Sequence, residues 1–542
     1  MQKKSEYIKV ASYEGHKGEV KKVVLLYSGG MDTSIILKWI QDEYEAEVIT
    51  LTVDIGQQVD DLELIRKKAL NLGAIKAFVI NAKDEFANEY ITKGIKANVS
   101  YQGNYHLSTP IGRPLLAKWA VKIASQEGAD TIAHGCSGKG NDQVRIEGIV
   151  LALNPDIKII APVREWKMGR DEELIYAKKN KIPVKQTAAK PYSYDDNMWG
   201  VTSKGGEIEI PAMIPPLKDI LSICNLPENA PDKPEFITLE FVKGIPVVVN
   251  GKQKKLSDLI SYLNKLGAKH AIGITHHIED RVVGLKVRGV YEAPGAEIII
   301  QAHRNLEKYV CTGLENEFKS EVDTKWAYIC YAGLWYEPLM DDLNAFIDNV
   351  NEKVTGKATL KLYKGIAETV AVDTPNSIFE EKLATFMAQT GFNQNASSGF
   401  IELFTLQMRL AQRGEKTVLL SIGRRNNKIK LLSTIKQLKE MKYKLYATYK
   451  THKFLQSHNI EAILVRKISQ PHKKPNLQDL LDANRFDLII NIPTLHEKDT
   501  TEKEITDGQV IRHMAVKNNV KLITSTGVAK EFVEKLSSYK IR

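Results

Sequence analysis

At 542 residues and 43% hydrophobic content, the chain has room for roughly three to four domains of about 150 residues, each able to bury a core, which excludes intrinsic disorder and small stapled scaffolds. Its four cysteines, Cys136, Cys224, Cys311 and Cys330, are scattered and form no C-x-x-C pair, so the reading is a reducing compartment with neither a disulfide framework nor a structural zinc. The net charge of +10 is uneven: residues 415–542 carry 25 Lys and Arg against 13 Asp and Glu, a net of +12, and the first 414 residues stand near neutral at −2. A basic excess confined to one segment argues against a whole protein wrapped on nucleic acid. No run reaches the 18 or so apolar residues of a spanning helix, and the first residues lack an apolar signal core, so a soluble cytoplasmic protein with no membrane contact is expected.

After a polar tail over 1–20, KKVVLLY (21–27) reads as a buried strand, SGGMDTS as a glycine turn and IILKWIQDEY as a helix. EVITLTVDIG (47–56) is the next strand, LELIRKKALNLG a helix ended by Gly73, and AFVIN, ADTIAHG (129–135) and IKIIAPV (157–163) further strands. This alternation specifies a parallel, doubly wound α/β sheet over 21–185. Pro, Gly, Ser and aromatic residues then crowd Pro191 to Pro216, and PENAPDKPEF (227–236) is a loop. The strand-like FITLEF, PVVVNG, VVGLKVRGVYE and EIIIQAHR, with the helical DLISYLNKLG among them, predict an α+β domain over 186–412. Past a polar linker, KTVLLSI, a helix to about Met441, KLYAT, a short helix, AILVRK, DLIINIP and KLITST predict a second, small α/β domain over 415–542. Trp39, Trp119 and Met31 have the spacing of core residues.

Two motifs carry chemistry. Ser28-Gly29-Gly30-Met31-Asp32-Thr33-Ser34 lies between a strand and a helix, where backbone N–H groups converge on an anion and the helix N-terminus adds about half a positive charge. Asp32, Thr33 and Ser34 are equally suited to capping the helix. The segment is neither a Walker A loop nor a G-x-G-x-x-G turn. His134-Gly135-Cys136-Ser137-Gly138-Lys139-Gly140-Asn141-Asp142-Gln143-Val144-Arg145 follows a later strand and places donors and charge at the carboxyl edge of the sheet, where open α/β sheets bind ligands. Lys139 suits a phosphate as a point charge, and Arg145 a carboxylate as a bidentate clamp. His276 and His277 are adjacent rather than four apart, so no metal site built from protein side chains is expected.

The heptad resembles the pyrophosphate-binding loop of N-type ATP pyrophosphatases, the adenine nucleotide alpha hydrolase-like fold. With YSGGMDTS, HGCSGKGNDQVR, KPYSYDDNMWG and RVVGLKVRGVYEAP in that order, residues from about 20 to 412 resemble the argininosuccinate synthase family. The resemblance implies an ATP- and Mg²⁺-dependent ligase and a homotetramer: the ureido oxygen of citrulline attacks the α-phosphorus of ATP, pyrophosphate leaves, and the amine of aspartate then displaces AMP from citrullyl-AMP. It places ATP on Leu26, Tyr27, Ser28, Gly29, Gly30, Met31, Asp32, Thr33, Ser34, Val53 and Gly135. Aspartate falls to Ser137, Asn141 and Asp142, and citrulline to Tyr105, Asn141, Arg145, Ser193, Thr202, Glu279 and Tyr291. Some members have serine where this chain has Pro110, which offers neither N–H nor hydroxyl, so one citrulline contact is expected to differ. A tRNA-modifying pyrophosphatase would call for an RNA-binding extension and often paired cysteines; a nonenzymatic sensor would lack one of these motifs.

TVLLSIGRRNNK, LYATYKTHKFL, ILVRKIS, PNLQDLL, FDLIINIP and KLITSTGVAKEFVEKL resemble the methylglyoxal-synthase-like domain, which also forms the nucleotide-binding allosteric end of carbamoyl phosphate synthetase. The resemblance puts an effector phosphate on Thr448, Thr451, Lys467 and Asn491, with Ser421 and Lys428 as weaker candidates. Ile492 and Pro493 stand where threonines are expected, which implies an altered pocket. The glycine pair and histidine of a lyase site are missing, although Asp479 keeps a carboxylate nearby. A nucleotide or amino-acid effector is one reading of this domain; a structural or oligomerisation appendage is the other.

Overall fold

The computed structural model describes residues 10–538 apart from 60, 167, 184–190, 386–390, 412–415, 469, 471 and 495–506. The domain junctions expected near 185 and 412–415 and the start of the N-terminal tail lie outside the described residues. The chain falls into two compact units, Met1–Thr385 and Phe386–Arg542.

In the first unit, β1 (Lys22–Leu26), β2 (Glu47–Asp54), β3 (Lys76–Asn81), β4 (Thr131–Ala133) and β5 (Lys158–Ile160) form a parallel sheet in the order β3-β2-β1-β4-β5. β1 is central and its Val23, Val24 and Leu25 are buried, which is why its sequence is a continuous apolar run rather than an alternating one. The connections are helical, with α1 (Met31–Tyr44) after β1, α2 (Leu62–Asn71) after β2, α3 (Ser108–Glu127) before β4 and α4 (Asp142–Leu153) after β4. From β1 the chain winds to β2 on one side and returns to β4 on the other, so the strand order reverses between β1 and β4. That reversal opens the crevice in which such sheets hold ligands.

Two antiparallel sheets follow. β6 (Ser193–Asn197) and β7 (Gly200–Lys204) pair with each other in one, whereas β8 (Glu235–Val242), β9 (Ile245–Val249) and β10 (Lys252–Gln253) belong to the other. α5 (Leu256–Lys269) leads into β11 (Ile274–Asp280) and β12 (Lys286–Glu292), which complete the order β11-β12-β7-β6. Beyond α6 (Pro294–Val310) and α7 (Gly313–Ala332), β13 (Gly356–Tyr363) and β14 (Ile366–Asp373) complete β10-β9-β8-β13-β14. EIIIQAHR, expected as a strand, is helical inside α6. Its three consecutive isoleucines favour a strand locally, but Pro294 sits in the first helical turn and Ala296, Ile299, Ile300, His303 and Leu306 form a buried stripe at helical spacing, so packing overrides β-propensity. One apolar core runs from Val24 in β1 to Ala367 in β14, tying the parallel sheet to the segment that follows it.

The second unit has helix α8 (Ala396–Phe404) and a parallel sheet of β15 (Thr417–Ile422), β16 (Lys444–Thr448), β17 (Ile463–Val465), β18 (Leu488–Ile492) and β19 (Lys521–Ile523), in the order β17-β16-β15-β18-β19. α9 (Asp507–Lys517) precedes β19. Among the described residues no helix is long and apolar enough to cross a membrane.

Candidate active site

Leu25 of β1 pairs with Ala133 of β4, so the two glycine-rich motifs leave neighbouring strand ends at the sheet's reversal point. Gly29 has φ +77°, and a Cβ there would lie 2.8 Å from Ile65 of α2; only glycine lets the turn close against that helix. Gly30 is the N-cap of α1 in an extended conformation and makes no side-chain cap; its N–H donates to the Ser28 hydroxyl at 3.3 Å. Ser34 instead donates to the Gly30 carbonyl at 2.6 Å and lies 3.0 Å from the Tyr27 hydroxyl, while the Ser28 and Thr33 hydroxyls meet at 3.1 Å. The N-cap residue itself is thus a glycine, and the first turn of α1 brings backbone N–H groups to the carboxyl edge of the sheet.

A cleft of about 1040 Å³ opens at this edge. Of the residues expected to hold ATP, Leu26, Tyr27, Ser28, Gly30, Met31, Asp32, Thr33, Val53 and Gly135 line it. Gly29 is turned onto α2 and Ser34 is buried behind the loop. Ser193 of the citrulline set also lines the cleft, together with Arg113 and Asp195, which the sequence reading did not single out.

The remaining candidates come from an adjoining sheet face. In the β11-β12-β7-β6 sheet, Thr202 lies opposite Tyr291 and Asp195, Tyr291 opposite Thr275, His277 opposite Gly289, and Ser193 opposite Lys204. Side chains two apart on a strand share a face, so Ser193, Thr202, Tyr291 and Glu279 converge on one surface, with Asp195, Lys204 and His277 among them. His277 and Glu279 are buried while their neighbours Ile278 and Asp280 are exposed. Lys204 and His277 are residues that the sequence reading did not assign to this surface; period-two alternation outward from Thr202 and Glu279 is the signal that would find them.

Tyr105 enters from the segment before α3; its ring centroid lies 4.2 Å from that of Tyr291 and its hydroxyl accepts from the Thr109 N–H at 3.2 Å. The Thr109 and Thr202 hydroxyls are 2.9 Å apart. Pro110 is buried in the first turn of α3, where its missing N–H costs no helical hydrogen bond. Asn141 and Asp142 begin α4 and Arg145 follows one turn later. Arg145 donates to Asp142 at 2.7 Å, and Arg113 to Asp142 at 2.8 Å and Asp195 at 3.3 Å. Burial alone would raise the Asp142 pKa, but the two guanidiniums outweigh it and hold the carboxyl well below the usual carboxylate range. Burial likewise opposes the charge on Lys204, and Asp195 and Asp142 overcome it, so Lys204 stays above its ordinary value. Ser137 and Lys139 are exposed on the turn before α4. The Nε2 of His277 is buried with no hydrogen-bond partner, and burial lowers the pKa of this imidazole.

In the second unit the Thr448 hydroxyl lies 3.5 Å from those of Ser421 and Thr451, and Thr451 Oγ1 accepts from the Ile422 N–H at 3.0 Å. Asn491 lies opposite Ser421 in the sheet and accepts from Arg512 of α9 at 2.9 Å. Lys428 is buried and donates to the Lys450 carbonyl at 3.1 Å. These groups gather at the carboxyl ends of β15, β16 and β18; Lys467 lies exposed two residues past β17.

Comparison with known proteins fits both units. Residues 22–183 match the arginosuccinate synthase N-terminal HUP domain, 192–411 the arginosuccinate synthase C-terminal domain and 430–524 the MGS-like domain. The argininosuccinate synthase of Pyrococcus furiosus is 49% identical over 390 residues, 72% of this chain and 94% of that protein. The chain belongs to the argininosuccinate synthase family. The argininosuccinate synthases of Carboxydothermus hydrogenoformans (47% identical, 73% of this chain and 98% of that one) and Caldanaerobacter subterraneus subsp. tengcongensis (46%, 75% and 100%) agree. An argininosuccinate synthase is a ligase that forms a C–N bond between citrulline and aspartate with the use of ATP, and that is the activity of this enzyme. The MGS-like domain lies beyond the arginosuccinate synthase C-terminal match.

Proposed function

We propose that ATP lies in the β1–β4 cleft with its phosphates on the loop Ser28–Thr33 and Gly135 and its adenine toward Val53, and that citrulline lies on the face bearing Ser193, Thr202, Glu279 and Tyr291. The observation that carries this reading is the cleft itself, which Ser193 lines together with the glycine-rich loop, so that a ureido group on the sheet face has a path to the α-phosphorus. In the first step the ureido oxygen forms a bond to that phosphorus and pyrophosphate departs. In the second, the aspartate amine bonds to the ureido carbon and AMP departs with the C–O bonding pair. A ureido oxygen is a weak nucleophile, so alignment and stabilisation of phosphoryl charge do most of the work. Arg145 suits the α-carboxylate of citrulline and Glu279 its α-ammonium, while Tyr105 and Tyr291 wall the same pocket. Ser137, Asn141 and Asp142, at the start of α4, suit aspartate. ATP enters as its Mg²⁺ complex; a loop offering the single carboxylate Asp32 beside backbone amides fits an ion whose ligands are mainly phosphate oxygens and water.

The assay is pyrophosphate release by the full chain. Release that requires citrulline, with AMP formed only when aspartate is added, supports the assignment; equal release with other ureido compounds or none overturns the placement of citrulline.

The C-terminal module is read as a sensor for a phosphorylated or amino-acid effector at Thr448, Thr451, Asn491 and Lys467, supported by hydroxyl and amide groups gathered at three strand ends and by a segment charge of +12. Calorimetric titration of the full chain with UMP, IMP, ornithine and arginine tests it, alongside kinetics of a chain lacking 415–542. No heat with any of them and unchanged kinetics leave the appendage reading. A cytoplasmic homotetramer is proposed on the family likeness and on α8, whose Phe400, Ile401, Leu403 and Phe404 are all exposed, an apolar surface of the kind that a neighbouring subunit covers.

A further inference from the structure

Tyr331, in the last turn of α7, is fully buried, and each part of it meets a residue of the amino-acid sites. Its hydroxyl donates to Glu279 Oε2 at 2.9 Å and accepts from Asn141 Nδ2 at 2.8 Å. One ring contact is a stack on Tyr101, with centroids 3.8 Å apart and planes 7° from parallel; another is the Arg145 guanidinium, 4.8 Å from the ring centre. Its backbone carbonyl accepts from Arg145 Nε at 2.8 Å. The helix can end this close to α4 because the next turn is Gly333, at φ +81°, where a Cβ would lie 2.6 Å from the Arg145 Cα. The carbonyl at the negative end of α7 thus falls against a guanidinium, as a helix C-terminus favours.

We propose that Tyr331 is the positioning residue of the two amino-acid sites, holding Asn141, Arg145 and Glu279 in one arrangement so that citrulline and aspartate bind in register. The proposal rests on the placement of both substrates given above. A carboxylate only accepts and an amide nitrogen only donates; a phenol does both at once, and it is the group found between them. Burial, with Glu279 beside it, raises the Tyr331 pKa, so the proton that serves Glu279 is kept across the neutral range. Asn141 is in turn fixed at its other end, its Oδ1 accepting from the Val282 N–H at 3.0 Å, which extends the hold to the turn between β11 and β12.

Tyr331→Phe tests this, because it keeps the ring, the stack and the carbonyl bond and removes only the bridge. A buried carboxylate oxygen and a buried amide then lose a partner together, an effect of about tenfold or more for a charged group. The expected result is a rise of about tenfold or more in the KM for citrulline and for aspartate, with the KM for ATP and the melting temperature nearly unchanged. Unchanged KM for both amino acids overturns the proposal, and so does a parallel rise for ATP with a large fall in melting temperature, which marks a merely structural tyrosine. Glu279→Gln combined with Tyr331→Phe gives a second readout: effects on citrulline that simply multiply count against a shared bridge, and effects that overlap support it. If the unaltered enzyme shows no citrulline-dependent pyrophosphate release, the substrate placement fails first; if it does and Tyr331→Phe behaves identically, the tyrosine's role alone fails.

Discussion

Arg113 Nη2 stands 2.8 Å from Asp142 Oδ2 and 3.3 Å from Asp195 Oδ1, so one guanidinium joins the wall of the cleft proposed for ATP to the start of α4 and to the edge strand β6. Its Nε is buried without a partner, leaving a donor beside the place proposed for the phosphates. Arg113→Met keeps most of the stem and deletes the fork. The kcat of citrulline-dependent pyrophosphate release should fall by about 100-fold or more, the scale of losing one preorganised donor to a charged transition state. Arg113→Lys restores charge without the fork and should recover only part of the rate. Steady-state kinetics decide it; a kcat within a factor of about two of the unaltered enzyme in Arg113→Met refutes the role.

Gly29→Ala places a methyl group at φ +77° and 2.8 Å from Ile65. Strain of about 1–3 kcal/mol is expected at such a position, and the loop relieves it by moving away from α2, carrying Ser28 and Gly30 with it. The KM for ATP should rise by about fivefold to 100-fold, with the KM for aspartate changed much less. A variant that binds ATP normally shows that the turn does not set the phosphate site.

Much of this architecture is legible in sequence because burial writes itself as periodicity. KVVLL is continuous and apolar since β1 is covered on both faces, and the C-terminal strands, from KTVLLSI to DLIINIP, read correctly for the same reason. EIIIQAHR misleads because three isoleucines look alike in a strand and in a helix buried nearly all round. Tyr331 and Arg113 were invisible for another reason: Tyr331 meets Asn141 across 190 positions of chain and Arg113 meets Asp195 across 82, and no local pattern reports such a meeting. The face of β6, β7, β11 and β12 is an intermediate case: β12 is legible in VVGLKVRGVYE, whereas β6, β7 and β11 are hidden among polar and glycine residues although their alternation is present around Thr202 and Glu279.

Glu292 is fully buried, and its carboxylate accepts from the Ser222, Ile223 and Cys224 N–H groups at 2.8, 2.9 and 2.7 Å and from the Ser222 hydroxyl at 3.0 Å. It neighbours Tyr291 in β12 and pins the segment after β7 to the sheet carrying the residues proposed for citrulline. Glu292→Gln replaces one accepting oxygen with a donor facing N–H groups. A loss of about 2–4 kcal/mol in unfolding free energy is expected, from weakened charge-assisted bonds and a buried donor left unpaired. Urea unfolding measures it, and a change below about 0.5 kcal/mol contradicts the account.

Asp323 of α7 lies 2.6 Å from the Lys319 ammonium and accepts from Asn98 at 3.0 Å, while Glu307 shares the same lysine at 3.1 Å. Burial is the largest influence on this carboxyl and Glu307 adds to it, so despite Lys319 its pKa is pushed up to about 7. In the unfolded chain an aspartate titrates near 3.9, so the folded state holds the proton more tightly. The contribution to stability is therefore fully present below about pH 4, declines as the pH rises toward about 7 and is gone above it, at about 1.4 kcal/mol per unit of pKa difference. Asp323→Asn carries no titrating group there and leaves Lys319 paired with Glu307. Unfolding free energies of the two proteins at about pH 5, 6 and 7.5 should differ progressively in the variant's favour as the pH rises, because only the original chain then carries two buried carboxylates on one lysine. A difference that stays constant across that range shows that Asp323 is already ionised in the fold at pH 5.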